Sequence, residues 1–323
     1  MNRDESRRWE ACICVYLCAS VVKFFGMRVL ITGASGLIGT ALQKRFKKKG
    51  WEMLLATRHD PKSDDEIRWS AENGFADPER LEGLDAVIHL AGESVNGLRW
   101  TDEKKTAILD SRVKGTRNLV ETLGKLEERP NVLIAASAIG FYGERGDEEI
   151  YESSGAGTTF LSEVCKEWEG ESRRAEDAGI RTVLLRTGIV LSKDSGALGT
   201  MLLPFKLGVG GVVGSGKQWM SWISLDDHVR AIEFAIEHEN IRGAVNSVSP
   251  HPVTNEEFTK AMGDVLYRPT FLPLPEFVVS MALGEMGDEL LLTSTKVVPK
   301  RLKDAGFEFE YPELKPALEH AVK

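Results

Sequence analysis

Apolar and polar positions fall into blocks along most of the chain. Short apolar runs, the pattern of strands buried on both faces, occur at RVLIT (28–32), MLLAT (53–57), AVIHLA (86–91), VLIAAS (132–137) and RTVLLRTGIVL (181–191). Between them the period lengthens to that of amphipathic helices, in LIGTALQKRFKKKG, DEKKTAILDSRVKGTRNLVETLGKLEE and FLSEVCKEWEGESRRAEDAG. Gly50 and Gly179 stand where the first and third of these end, as C-terminal caps. Apolar strands alternating with such helices predict an α/β fold of Rossmann type, a doubly wound parallel sheet.

Beyond about residue 191 the pattern loosens. SKDSGALG and KLGVGGVVGSGKQ read as glycine-rich loops. HPVTNEEFTKAMGDVL reads as a helix starting at Thr254 or Asn255 with Glu257 as capping partner. Asp226 and Asp227 open the helix DDHVRAIEFAIEH as N-terminal caps. PTFLPLPEF, with three prolines in nine residues, reads as an extended connector. The chain thus divides into a dinucleotide-binding domain over 27–191, with segments returning to it up to about 250, and a smaller α/β substrate lobe with a C-terminal module over 192–323.

Composition narrows the partners. Lys and Arg total 41 against 49 Asp and Glu, a formal charge of −8, and no basic stripe with interleaved aromatics is present. Nucleic acid is therefore excluded as a partner. Cys12, Cys14 and Cys18 precede Met27 and leave Cys165 as the single thiol of the folded body, which fits a reduced, cytoplasmic compartment. No cysteine pair stands at zinc spacing with histidines, and no metal site is expected. Residues 1–26 read as an over-extended start or a disordered leader, the minority alternative being a membrane-associating one. Their uncharged run ACICVYLCASVV has twelve residues, too few to span a bilayer.

The stretch Thr32–Gly39, TGASGLIG, joins the first strand to the first helix. Gly33 permits a sharp turn, Gly36 lets backbone approach a diphosphate, and Gly39 lets the helix pack on the strand. With Ser35, Leu37 and Ile38 these form the expected pyrophosphate cradle at a helix N-terminus. The second strand ends in Thr57 and Arg58 where an NAD site would carry an acid, so NADP is favoured over NAD. Asp60 remains a ribose-binding acid after a small register shift, and Arg58 alternatively a solvated cation. Leu90, Ala91 and Gly92 sit at the carboxyl end of the third apolar run, where open α/β sheets place ligands.

TGxxGxxG spacing, together with HLAGES (89–94), RWT (99–101), DSRVKGTRNLVE (110–121), ASAIGFYG (136–143), RTGIVL (186–191), MLLPFKLGVGGVVGSGKQWMSWI (201–223) and the tail from PTFLPLPEF to GFEFEYPEL, resembles the extended short-chain dehydrogenases/reductases. The closest resemblance is to their atypical "epimerase family protein" subgroup, and it runs from Met27 almost to the C-terminus. It implies an NADP-dependent oxidoreductase or epimerase acting on a sugar nucleotide or small carbonyl compound. It also implies that Thr57 and Arg58 meet the 2′-phosphate side of the adenosine, and that Leu90, Ala91, Arg112 and Val190 lie along the cofactor.

Members of the wider superfamily use an Asn, Ser, Tyr, Lys group for proton and hydride exchange. Ser137 falls at the serine position and Lys166 at the lysine, but Ser162 stands four residues before Lys166 where tyrosine is usual, and Arg112 replaces the asparagine. Tyr142 and Glu93 are the remaining ionisable candidates near the site. Each has a bland alternative: a strand-end serine, a solvated helix lysine, a packed aromatic, a surface carboxylate. Lys217, Gln218, Trp219 and Trp222 are candidates for a substrate pocket, with core packing the alternative for the tryptophans. His89, inside an apolar run, reads as a satisfied core histidine. The missing tyrosine keeps open a second reading, a non-catalytic NADP-binding regulator or scaffold.

Overall fold

The computed structural model describes residues 26–97 and 99–323. The reading of residues 1–26 as a leader falls, Gly26 apart, outside them. Strands β1 (Arg28–Thr32), β2 (Glu52–Thr57), β3 (Glu66–Ser70), β4 (Gly74–Phe75), β5 (Ala86–His89) and β6 (Val132–Ala138) come first, with helices α1 (Leu37–Lys49) and α2 (Asp102–Lys125) between them. There follow β7 (Glu149–Ile150), α3 (Phe160–Arg173), β8 (Arg181–Thr187), β9 (Ile189–Leu191) and α4 (Gly196–Lys206). Next are β10 (Trp219–Met220), β11 (Trp222–Ser224), α5 (Leu225–Glu237), β12 (Gly243–Ser247), β13 (Val253–Thr254) and α6 (Asn255–Leu266). The chain closes with α7 (Glu276–Leu283), a π-helical turn (Asp288–Leu292), β14 (Lys296–Val297), α8 (Lys300–Asp304) and α9 (Leu314–Val322).

Eight strands form one sheet in the order β12-β8-β6-β5-β1-β2-β3-β4, parallel throughout except for the β3–β4 hairpin. Order reverses between β1 and β5, which makes the crevice at their carboxyl ends the ligand-binding switch point. Alternate residues of β1 feed two helix layers. Val29 and Ile31 pack with Leu42 and Phe46 of α1 and Ile232 of α5, whereas Leu30 packs with Leu119 and Leu123 of α2. A further core, holding Trp222, Phe258, Leu198 and Leu318, lies under α4, α6 and α9.

Several elements differ from the sequence reading, each for a local reason. RTVLLRTGIVL breaks at Gly188, where a Cβ would lie 2.5 Å from the Ser221 carbonyl oxygen, so β9 leaves the main sheet and pairs with β11. SKDSGALG is not wholly loop, because α4 begins at Gly196 and buries Leu198, Leu202 and Phe205 along one face. The second helix ends at Lys125, and the third turns 3-10 after Arg173 before Gly179 closes it with φ 79°. Ser224, not Asp226 or Asp227, caps α5: its hydroxyl accepts the Asp227 amide, and both aspartates lie in the first turn. Thr254 and Glu257 form the expected capping box.

Candidate functional site

The glycine turn is built as its spacing requires. Gly33 adopts φ 70°, and a Cβ there would lie 2.9 Å from the Leu90 carbonyl carbon. At Gly39 a Cβ would lie 2.5 Å from the Gly33 oxygen. Gly36 is the N-cap of α1 and no side chain caps the helix, so nothing from the protein competes for its first-turn amides beside Leu37 and Ile38. Ser35 and Gly36 are exposed on the rim. These features leave a tight turn with open helix amides that any side chain at Gly33 or Gly39 would crowd.

Thr32 ties this turn to the end of β5. Its hydroxyl accepts the Leu90 and Ala91 amides, both at 3.2 Å, and therefore donates to His89 Nδ1 at 2.7 Å. His89 then carries its proton on Nε2, facing the Thr116 hydroxyl at 3.0 Å. Burial, with the Arg112 charge adding, pushes the imidazole pKa down to about 4. His89 is a neutral brace that holds Gly33 against Leu90–Gly92.

Arg58 is exposed at the end of β2, and its charge reaches Glu93. Asp60, the alternative acid, is already held by Arg68 at 2.7 Å. The Thr57 hydroxyl donates to the His59 carbonyl at 3.0 Å. Glu93 accepts from Lys104 at 2.6 Å, and that bond foremost holds its carboxyl below the usual range. Arg112 donates to the Glu93 carbonyl at 2.9 Å, lies 5.0 Å over the Trp168 ring, and packs on Gly92, where a Cβ would be 3.2 Å from its Cζ. Beside them lies a cavity of about 290 Å³ lined by Ala71, Glu72, Glu93, Ala107, Asp110, Ser111 and Lys114. Three cations, Arg58, Lys104 and Arg112, act on the Glu93 carboxylate, while Glu72 and Asp110 also line the cavity. Val190 sits in β9 with Ile223 of β11 as its partner, outside the main sheet.

Ser137, Tyr142 and Lys166 do not form one constellation. Ser137 is buried at the end of β6, and its hydroxyl donates to Glu169 Oε1 at 2.8 Å. The same carboxylate receives Arg186 Nε at 2.7 Å and Nη2 at 2.8 Å. Arg186 Nη1 donates to the Tyr142 hydroxyl at 3.0 Å, and that hydroxyl donates to Asn246 Oδ1 at 2.6 Å. Burial pushes the Tyr142 phenol pKa up to about 12. Lys166 is exposed on α3. Ser162, in the usual tyrosine place, donates to the Gly140 carbonyl at 2.8 Å, and Gly157 closes over it: a Cβ there would be 2.7 Å from the Ser162 Oγ. Glu169, Arg186 and Asn246 were not singled out from the sequence, although a charge on the apolar stripe of α3 and another inside the RTVLLRT run were available signals.

The four candidates at 217–222 separate. Trp222 is fully buried and donates to the His251 carbonyl at 3.1 Å. Trp219 is half-buried, donates to Asp147 at 2.8 Å and carries Lys296 over its ring. Gln218 is buried with its amide nitrogen on the Val213 and Leu291 carbonyls, while Lys217 is exposed. Among the described residues no cluster of His, Cys, Asp and Glu is arranged to hold a metal ion.

A doubly wound sheet with an uncapped glycine turn at its switch point defines a dinucleotide-binding fold. By sequence the chain belongs to the NAD dependent epimerase/dehydratase family, whose pattern matches residues 29–246; a domain of unknown function, DUF1731, matches residues 274–321. An epimerase family protein of Mycobacterium bovis is 42% identical over 91% of this chain and 97% of its own length. The chloroplastic SDR39U1 homolog of Arabidopsis thaliana is 38% identical over 94% and 88%. The human epimerase family protein SDR39U1, crystallised with NADPH, superposes with TM-score 0.84 at 34% identity, over 91% of this chain and 99% of that one. A UDP-N-acetylglucosamine 4-epimerase of Bacillus cereus, at 16% identity and TM-score 0.72, shares the fold.

Proposed function

We propose that the protein binds NADP(H) and works as an oxidoreductase of the atypical extended short-chain type, on a sugar-nucleotide or small carbonyl substrate. The observation that carries the cofactor reading is the pair Arg58 and Asp60. The arginine is open beside Glu93, whereas the acid that would favour NAD faces Arg68 in an exposed ion pair. The NADPH in the human relative's crystal supports the same choice. The bare first turn of α1 would hold the diphosphate, Thr57 and Arg58 the 2′-phosphate, and Leu90–Gly92 the body of the dinucleotide, with Arg112 and Val190 on its flanks. Bound there, the cofactor supplies a hydride donor or acceptor.

A reducing, cytoplasmic setting accords with Cys165, which is buried and unpaired. Among the described residues no helix is long and apolar enough to cross a membrane. The second reading, dinucleotide binding without turnover, draws on the consumed hydroxyls of Ser137 and Tyr142.

Calorimetry with NADPH and NADH tests the cofactor. Arg58→Ala is expected to weaken NADPH at least tenfold and leave NADH unchanged; equal effects on both, or no binding by folded protein, would refute the assignment. Loss of reduced nicotinamide absorbance across a carbonyl panel decides between the two readings. Tight binding with no turnover selects the non-catalytic one.

A further inference from the structure

Ten large hydrophobic side chains are more than a third exposed among the described residues, and all ten lie in two stretches, 203–209 and 267–290. An apolar face of this kind marks a binding surface. Both of its ends meet the switch-point crevice, whose lips are the glycine turn after β1 and the segment after β5. Helix α4 springs from the first lip: a Cβ at Gly196, its first residue, would lie 3.8 Å from Leu37 Cδ2. Helix α7 ends on the second, where Arg99 donates to the Met281 carbonyl and, at 3.1 Å, to the Ala282 carbonyl. Between the helices the connector is laced to 212–214. The Leu274 amide donates to the Val212 carbonyl at 2.8 Å, and the Gly214 amide to the Leu274 carbonyl at 2.9 Å. Leu203 and Leu207 on α4, Phe271 and Leu274 of the connector, and Phe277 and Met281 on α7 thus make one apolar surface that runs out from the crevice.

Charge on this face does not suit a diphosphate. Segments 203–217 and 267–292 carry three bases, Lys206, Lys217 and Arg268, against four acids, Glu276, Glu285, Asp288 and Glu289. Arg268 donates to the Lys206 carbonyl at 2.9 Å, so both stand at the far end of α4, on the order of 15 Å from its start beside the glycine turn. The cations of the facing segment 99–105 are engaged: Arg99 on the α7 carbonyls, Lys104 on Glu93 at 2.6 Å and Lys105 on Glu285 at 2.9 Å. A sugar nucleotide would bring its diphosphate onto a surface whose acids outnumber its bases. An uncharged apolar chain or ring meets no such cost and covers the exposed leucine and phenylalanine side chains.

We propose that this face is the substrate wall of the crevice, and that the substrate is an uncharged carbonyl compound with an apolar alkyl or aryl body. The assignment rests on the dinucleotide reading above and narrows it, setting the sugar nucleotide aside. The carbonyl end is turned into the crevice, and the apolar body lies along Leu203, Phe277 and Met281.

Calorimetry of the full chain with the methyl ketones 2-hexanone, 2-octanone and 2-decanone, with and without NADPH, reads binding apart from turnover. Affinity is expected to rise about two- to fourfold per added methylene, and UDP-glucose is expected not to bind at about 1 mM. Leu203→Glu and Phe277→Glu each weaken 2-decanone at least tenfold, while far-UV circular dichroism and NADPH affinity stay unchanged. A flat chain-length series, ketone binding indifferent to both substitutions, or UDP-glucose bound more tightly than 2-decanone would each overturn the proposal. So would a face covered by something else, a second copy or a lipid surface: sedimentation, or flotation with phosphatidylcholine vesicles, that responds to Phe277→Glu while the ketones fail to bind. NADPH titrated alone separates this assignment from the cofactor reading. Ketones bound by a folded protein that refuses NADPH would refute the cofactor and support the apolar wall, whereas NADPH bound with a flat ketone series would refute the wall alone.

Discussion

Replacing Glu169 by alanine removes the hub of a buried network built on an ion pair. The Glu169 and Arg186 side chains are each 4% exposed, joined by bonds of 2.7 and 2.8 Å, and Ser137 adds a third donor to the same carboxylate. In Glu169→Ala the guanidinium keeps the Tyr142 hydroxyl at 3.0 Å and the Phe141 face at 3.5 Å, but loses its counter-charge inside the protein. Breaking one half of such a pair costs about 3–5 kcal/mol. With a urea m-value of about 3 kcal/mol/M, the unfolding midpoint falls by roughly 1–1.7 M. The paired variant Glu169→Leu/Arg186→Met removes the desolvation cost together with the attraction, and is expected within about 1 kcal/mol of the native protein. Equilibrium unfolding followed by circular dichroism reads both. A Glu169→Ala loss below about 1 kcal/mol, or a double variant as damaged as the single one, would refute the view of this network as a coupled buried pair.

Two further consequences concern the turn and the buried imidazoles. Gly33→Ala places a methyl group 2.9 Å from the Leu90 carbonyl carbon in a φ of 70°; NADPH affinity is expected to drop more than tenfold by calorimetry, and unchanged binding would dismiss the cradle. His89 and His228 both have their pKa lowered to about 4 by burial, so the unfolded chain takes up protons below pH 6.5 that the native protein refuses until about 4. Their contribution is fully present above pH 6.5 and is lost progressively on acidification across that window. His228→Gln is therefore expected to flatten the decline of the urea midpoint between pH 6.5 and 4.5, and an unaltered slope would contradict the burial argument.

How far the sequence reveals this molecule depends on how local each signal is. The first two βα elements, the caps at Gly50 and Gly179 and the Thr254 capping box were legible because hydrophobic period and turn chemistry act within a few residues. β3 was missed because EIRWS alternates, burying Ile67 and Trp69 while Glu66, Arg68 and Ser70 lie less deep, and carries no apolar run. β12, GAVNS, is short and polar at its end, yet joins the main sheet because Val183 to Thr187 of β8 offer it a parallel edge. The geometry of the glycine turn was legible, since Gly33 and Gly39 answer local steric demands. The fate of Ser137 and Tyr142 was not, because it depends on Glu169 and Asn246, which lie 32 and 104 residues away.

Buried or half-buried carboxylates tie the C-terminal residues and the π-helical turn to the elements around the main sheet. Asp227, fully buried in α5, accepts the Glu310 and Tyr311 amides at 2.7 and 2.9 Å. Glu152 accepts the amides of Asn246 in β12 and Arg301 in α8 at 3.2 and 3.1 Å. Glu289, from the π-helical turn, accepts the Phe160 and Leu161 amides, both at 2.9 Å, and so caps α3 from outside where its negative charge suits the helix dipole. Helix α3 is therefore fixed at its start by Glu289 and along its inner face by Arg186, with Ser162 closed in beneath Gly157. A hydroxyl held in this way does not reach a substrate oxygen without unfolding part of the clamp. The open edge of the sheet instead carries Glu93, its pKa lowered mainly by Lys104, beside Arg58 and Arg112.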